Sequence, residues 1–154
     1  MDITQVLKET PLFRSLDDEE LDAVAKCVRE HAYASGQTVI EEGAPGAALY
    51  IVLNGKVRVE KQTQEKKLTL AELGEGEAFG EMSLIDSFPT SASVVASEAT
   101  SLVSIGRLDL NVLLNWNTIL AAKMWRSFTE MLSVRLRDMN DRMLLRYGEV
   151  LDVM

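Results

Sequence analysis

The spacing of apolar residues changes twice along this chain. Leu21, Val24, Ala25 and Val28 recur three and four apart, as on one face of a helix. From Gln37 to Ser104 the period falls to two, the signature of half-buried strands. Trp125, Phe128, Leu132, Leu136, Met139 and Met143 then restore the helical spacing. The order predicted is helix, β-structure, helix, divided as a helical segment over 1–35, a β unit over 36–106 and C-terminal helices over 107–154.

Local signals sharpen each part. A short amphipathic helix is predicted before Pro11. A second begins after Asp17, which can cap it, with Glu20 placed three residues on to complete a capping box. Thr38-Val39-Ile40 reads as a strand. Leu49–Leu53 and Lys56–Glu60 flank Asn54-Gly55, which predicts a hairpin with Val52 opposite Val57 and Tyr50 opposite Val59. Leu68-Thr69-Leu70 is a further strand. Gly74 and Gly76 mark a turn, and 92–97 with 101–105 form the last predicted pair. Many short strands with regular turns, interrupted by one short helix, predict a double-sheet jelly roll. Arg107–Leu114 is a short helix. Asn117 can cap a long one running to about Tyr147, with Gly148 as its stop. Its apolar stripe calls for a partner surface, either the β-core or a second copy of itself.

Composition narrows the function. The chain has 154 residues and a net charge of -8. Residues 1–120 hold ten basic against nineteen acidic side chains, and residues 121–154 six against five. Neither part carries the basic footprint of a nucleic-acid binder, so direct DNA binding is not expected. No apolar run has the length of a membrane span, and Met1–Thr10 has no signal-peptide pattern. A cytoplasmic location is expected, with no membrane contact. With Cys27 the only cysteine and His31 the only histidine, neither a disulfide nor a metal site is expected. No nucleophile or acid–base constellation emerges, so no catalytic residue and no cofactor are assigned. Gly74-Glu75-Gly76-Glu77-Ala78-Phe79-Gly80 spaces its third glycine one place too late for a dinucleotide fingerprint. The Lys61–Lys67 cluster reads as a solvated turn. With the chain ending at Met154, no further domain is expected.

The chemistry concentrates in residues 79–94, FGEMSLIDSFPTSASV. Phe79-Gly80-Glu81 falls where a strand ends and a short helix begins. Gly80 allows a tight turn and a close approach to a ligand. The amides of Glu81, Met82 and Ser83 would face outward at the helix start, and Glu81 is suited to accepting from sugar hydroxyls. This segment resembles the phosphate-binding cassette of cyclic nucleotide-binding domains, the family of the bacterial catabolite activator and of protein kinase A regulatory subunits. PLFRSLDDEEL, GQTVIEEGAPGAALYIVLNGKVRV and SVRLRDMNDRM resemble the family's helical, first β and terminal helical parts, in that order.

The resemblance implies a non-catalytic sensory or regulatory module with cyclic AMP or cyclic GMP as ligand. Phe79, Gly80, Glu81, Met82, Ser83, Thr90, Ser91 and, from the terminal helix, Asn140 would form the site. It also implies a homodimer through the 118–147 helix, which in the bacterial activators is both dimer interface and ligand lid. One position departs from the pattern: the family's Pro-Arg is Pro89-Thr90 here. Losing a hydrogen bond to a charged group costs roughly 1.5–3 kcal/mol. Lys67 and Arg107 enclose a stretch with no Lys or Arg, so a rescuing cation would have to come from elsewhere, with Arg135 and Arg142 as candidates. The alternatives are a degenerate domain that binds no cyclic nucleotide and serves as a dimeric protein-interaction module, or the effector domain of a transcriptional regulator.

Overall fold

The computed structural model describes residues 2–153, with side chains described except at 83, 84 and 149–153. Eight strands form two four-stranded antiparallel sheets. They are β1 (Val28–Tyr33), β2 (Thr38–Ile40), β3 (Ala48–Asn54), β4 (Val57–Gln62), β5 (Lys67–Leu73), β6 (Ala78–Phe79), β7 (Ser93–Ala96) and β8 (Thr100–Gly106). One sheet has the order β1-β8-β3-β6 and the other β2-β7-β4-β5. The predicted jelly roll is the observed fold.

Among the described residues five α-helices and a 3-10 turn (Pro11–Phe13) accompany the roll: α1 (Ile3–Glu9), α2 (Asp18–Ala25), α3 (Glu81–Asp86), α4 (Arg107–Trp116) and α5 (Thr118–Val153). The capping box of α2 forms as predicted, with Asp17 and Glu20 exchanging backbone and side-chain bonds. Asn117 Oδ1 likewise accepts from the amides of Ile119 and Leu120 at the start of α5.

The hairpin predicted at Asn54-Gly55 and the last predicted strand pair are both absent. β3 pairs with β6 and β8, whereas β4 pairs with β5 and β7, so Asn54-Gly55 turns the chain from one sheet to the other. Val52 therefore does not oppose Val57, nor Tyr50 Val59. The segments 92–97 and 101–105 part in the same way, β7 into one sheet and β8 into the other. The two corners lie against each other. Thr100 Oγ1 accepts from the Lys56 amide and donates to the Lys56 carbonyl, and the Ser97 amide donates to that carbonyl too. Gly55 has a φ of +100°, and a Cβ there would meet Thr100 Oγ1 at 2.5 Å. The glycine is demanded by corner-to-corner packing rather than by a hairpin.

Alternation along β3 separates two cores. Leu49 and Ile51 pack with Leu12, Phe13, Leu21, Leu110, Leu120, Met124 and Phe128 between one sheet and the helices. Val52 packs with Val57, Leu73, Phe79, Val94 and Leu102 between the sheets. Other boundaries move. Val28, predicted to continue the helical face, begins β1, which pairs with β8. α5 runs through Gly148, the predicted stop, to Val153; one glycine in an exposed helix costs only about 1 kcal/mol. The buried line of α5 is Leu120, Met124 and Phe128. Of the predicted stripe, Phe128 is buried, whereas Leu136, Met139 and Met143 are 59%, 61% and 67% exposed. Among the described residues no helix is long and apolar enough to cross a membrane.

Candidate functional site

β6 delivers Phe79 into the inter-sheet core, where its ring stacks on Tyr50 at 5.2 Å. Burial raises the Tyr50 phenol pKa, with the nearby Tyr33 adding to the effect. Phe79 thus anchors the cassette from beneath rather than offering its ring at the surface. Gly80 follows at φ +85°, and a Cβ on it would lie 2.7 Å from the Ala48 carbonyl. Only glycine makes this close turn, and the turn sets Glu81 at the first position of α3.

Glu81 is buried, with 3% of its surface exposed. Its carboxylate accepts from Arg135 Nη1 at 2.5 Å, and Arg135 Nη2 donates to the Ala78 carbonyl. The Arg135 side chain comes from α5 and is 31% exposed. One guanidinium therefore joins the long helix to both the strand and the helix of the cassette. Two turns further along α5, Arg142 Nη1 donates to the Leu70 carbonyl of β5 at 2.9 Å. Of the two candidate rescuing cations, Arg135 enters the cassette and Arg142 fastens α5 to the sheet beside it.

The far end of the cassette is built differently. Thr90 is buried, and its hydroxyl donates to the Glu41 carbonyl at 2.5 Å. Its amide donates to Ala44 O, and its carbonyl accepts from Gly43 N. Ser93 Oγ accepts from the Glu42 amide. Thr90 is therefore the clasp between the cassette and the loop after β2, and its hydroxyl proton is already committed. Ser91 is exposed, and its carbonyl accepts from Lys61 Nζ at 2.5 Å. Lys61 also lies 3.1 Å from Glu42.

The remaining predicted residues stay apart. Met82 is 51% exposed, as is Phe88 at 70%, so neither plugs the cassette. The side chain of Ser83 lies outside the described residues. Asn140 is exposed on α5.

Two cations at the cassette escaped the sequence reading. Lys61, assigned to a solvated turn, reaches Ser91 from β4. Arg107, at the start of α4, donates to Ser87 Oγ at 2.7 Å and to the Gly46 carbonyl. Ser87 closes α3 with a φ of +62°. Both cations lie outside the cation-free stretch of sequence. The register of β4 against β7 brings Lys61 to it, and the pairing of β8 with β3 places Arg107 beside Gly46, neither of which composition carries. His31, by contrast, sits in β1, with Nε2 2.7 Å from Ser104 Oγ.

Residues 30–117 match the family described as cyclic nucleotide-binding domain. The chain belongs to that family. It is 38% identical over 133 residues to the cyclic AMP receptor protein of Thermus thermophilus, an alignment covering 86% of this chain and 60% of that protein. It is 37% identical over 101 residues to a cAMP-dependent protein kinase regulatory subunit of Aspergillus fumigatus, covering 66% of this chain and 24% of that one. The chain thus spans less than two thirds of the length of these relatives. Among solved structures, a cyclic nucleotide-binding domain from Methylobacillus flagellatus superposes with a TM-score of 0.83 at 32% identity, covering 94% of this chain and 82% of that one.

Proposed function

We propose that this chain is a non-catalytic regulatory module whose cassette binds cyclic AMP or cyclic GMP and whose long helix reads the result. The observation that carries this reading is the buried Glu81 bridged to α5 by Arg135. A ribose presents hydroxyl donors, and a carboxylate held at the base of the cassette accepts them. Ribose hydroxyls compete with Arg135 for Glu81, and a cyclic phosphate offers the displaced guanidinium a charged acceptor. Ligand therefore changes what tethers α5. A ligand with different affinity for the tethered and untethered helix shifts the balance between them. Arg135 supplies the charge that Thr90 lacks.

Calorimetric titration with cyclic AMP and cyclic GMP tests this. Saturable heat that is lost in both Glu81→Ala and Arg135→Ala supports the reading. One observation favours a second reading, in which the cassette is a closed structural element and binds neither nucleotide. The Thr90 hydroxyl is turned to Glu41. Absence of heat with either nucleotide selects that reading.

We also propose that α5 pairs with a second copy. Leu132, Leu136, Met139 and Met143 keep a four-three-four spacing, and the last three are exposed in the single chain. Sedimentation is expected to give a dimer that Leu136→Asp with Met139→Asp converts to monomer. A monomeric parent at high micromolar concentration would refute this.

A further inference from the structure

Helix α4 is apolar on two faces. Leu110 and Leu113 are buried against the core, whereas Leu108, Val112 and Trp116 recur four apart and are 80%, 66% and 65% exposed. The second apolar face is left without cover in the single chain. Ile119, 68% exposed, continues this surface into α5. At about 100° per residue, Ile119 lies roughly 100–160° round α5 from Leu132, Leu136, Met139 and Met143. Pairing along that stripe leaves the α4 surface uncovered.

The stripe ends at a cavity of about 120 Å³ lined by Asp17, Glu19, Glu20, Trp116, Asn117 and Ile119. Glu20 is buried, with 5% of its surface exposed. Its Oε1 accepts from the Asp17 amide at 2.9 Å and from Lys123 Nζ at 2.6 Å. Its Oε2 is buried and has no hydrogen-bond partner. An unmatched carboxylate oxygen in a protein interior is costly, so it asks for a donor. Two helix N-termini meet here, yet an anion is excluded. Three carboxylates face one ammonium, and the caps Asp17 and Asn117 already take the free amides of Glu20, Ile119 and Leu120. Among the described residues no group of three or more acidic, His or Cys side chains is placed to hold a metal ion. The volume is well below the roughly 300–1,000 Å³ of small-molecule sites, so it suits a head group and not a nucleotide.

We propose that this surface docks a partner protein through an arginine set among apolar residues, the guanidinium entering the Asp17–Glu20 pocket. Guanidinium fits better than ammonium. Lys123 already serves Glu20 as a point donor, whereas a planar guanidinium can donate to the exposed Asp17 and Glu19 carboxylates and lie against the Trp116 ring at once. The apolar stripe then meets the flanking side chains. No cassette residue lines this pocket.

The test is a heteronuclear NMR titration of the whole chain with N-acetyl-leucyl-arginine amide. The probes for comparison are the lysine dipeptide and the citrulline dipeptide, the latter the neutral isostere of arginine. Saturable, salt-sensitive shifts of the Trp116 indole and the Glu19 and Glu20 amides are expected, with millimolar Kd for so small a probe. Lysine should bind more weakly and citrulline should leave these signals unmoved. Trp116→Ala and Glu19→Gln alter exposed side chains and keep the Glu20–Lys123 pair. Trp116→Ala is expected to weaken binding about two- to fivefold, the size of an exposed cation–π contact, and Glu19→Gln by up to about fivefold, the size of an exposed ion pair. Equal shifts with citrulline, no shift with arginine, or unchanged affinity in both variants would overturn the proposal. So would movement of the Trp116 signal with protein concentration alone, which would make a second copy the occupant.

Discussion

The two ends of the cassette are both buried and both hydrogen-bonded, but they are held by different parts of the molecule. Glu81 is paired with an arginine that arrives from α5. Thr90 is bound to backbone groups of the loop after β2, within the β-roll itself. An interaction within one rigid unit can stabilise that unit, but it cannot report on anything outside it. An interaction between two units couples them. The Glu81 end therefore ties the roll to α5, and the Thr90 end ties the cassette to the loop after β2.

The largest expected effect is at the coupling end. Arg135→Met leaves the buried Glu81 carboxylate without its cation. Breaking a fully buried pair costs about 3–5 kcal/mol, and the partial exposure of Arg135 lowers the expectation to about 2 kcal/mol. Urea unfolding should show the loss, and adding Glu81→Gln should recover most of it. Amide exchange in α5 beyond residue 135 should quicken in Arg135→Met. Unchanged exchange there would mean that the pair does not hold the helix, and the distinction between the two ends would collapse.

Thr90→Val should cost about 1 kcal/mol, because the Glu41 carbonyl loses its hydroxyl donor in a part-buried place. The same exchange measurement should find α5 unaffected. A loss of stability confined to the roll sharpens the comparison. A Thr90→Val protein as stable as the parent would show that the hydroxyl is not a clasp.

The smallest effect is electrostatic and lies beside Thr90. The Glu42 carboxyl is held below its ordinary pKa of 4.5, first by the hydrogen bond from Lys61 and then by that from the Gln62 amide. A folded pKa below the unfolded one gives stability that is present above the unfolded value and is lost as pH falls through the folded value. Unfolding titrated downward from pH 5 should therefore show a slope that Lys61→Met flattens. An identical slope in the variant would remove Lys61 from the account of that end.

Helix caps were legible from a few neighbouring letters. Asp17 with Glu20, and Asn117, satisfy amides two or three residues away, so the motif and its partner lie in one window. The jelly roll was legible too, since strand period and turn spacing are local and only their sum is global. The Asn54-Gly55 hairpin was misread because a tight glycine turn fits a corner between sheets as well as a hairpin. What separates the two is whether Thr100, far along the chain, packs on that glycine. Of the buried line of α5, Leu120, Met124 and Phe128, the predicted stripe contained only Phe128. Apolar spacing shows that a helix has an apolar side, and α5 has two, one of them turned to the core.

Sequence by itself determined the family and the double-sheet roll, because motifs, strand period and turn spacing each rest on residues close together in the chain. Tertiary structure alone decided which cations reach that cassette. Lys61, Arg107 and Arg135 come from three different elements, and only strand register and helix docking bring them to Ser91, Ser87 and Glu81. It also decided that Thr90 is a clasp, since a hydroxyl's role depends on the acceptor facing it, and that acceptor is a carbonyl almost fifty residues earlier.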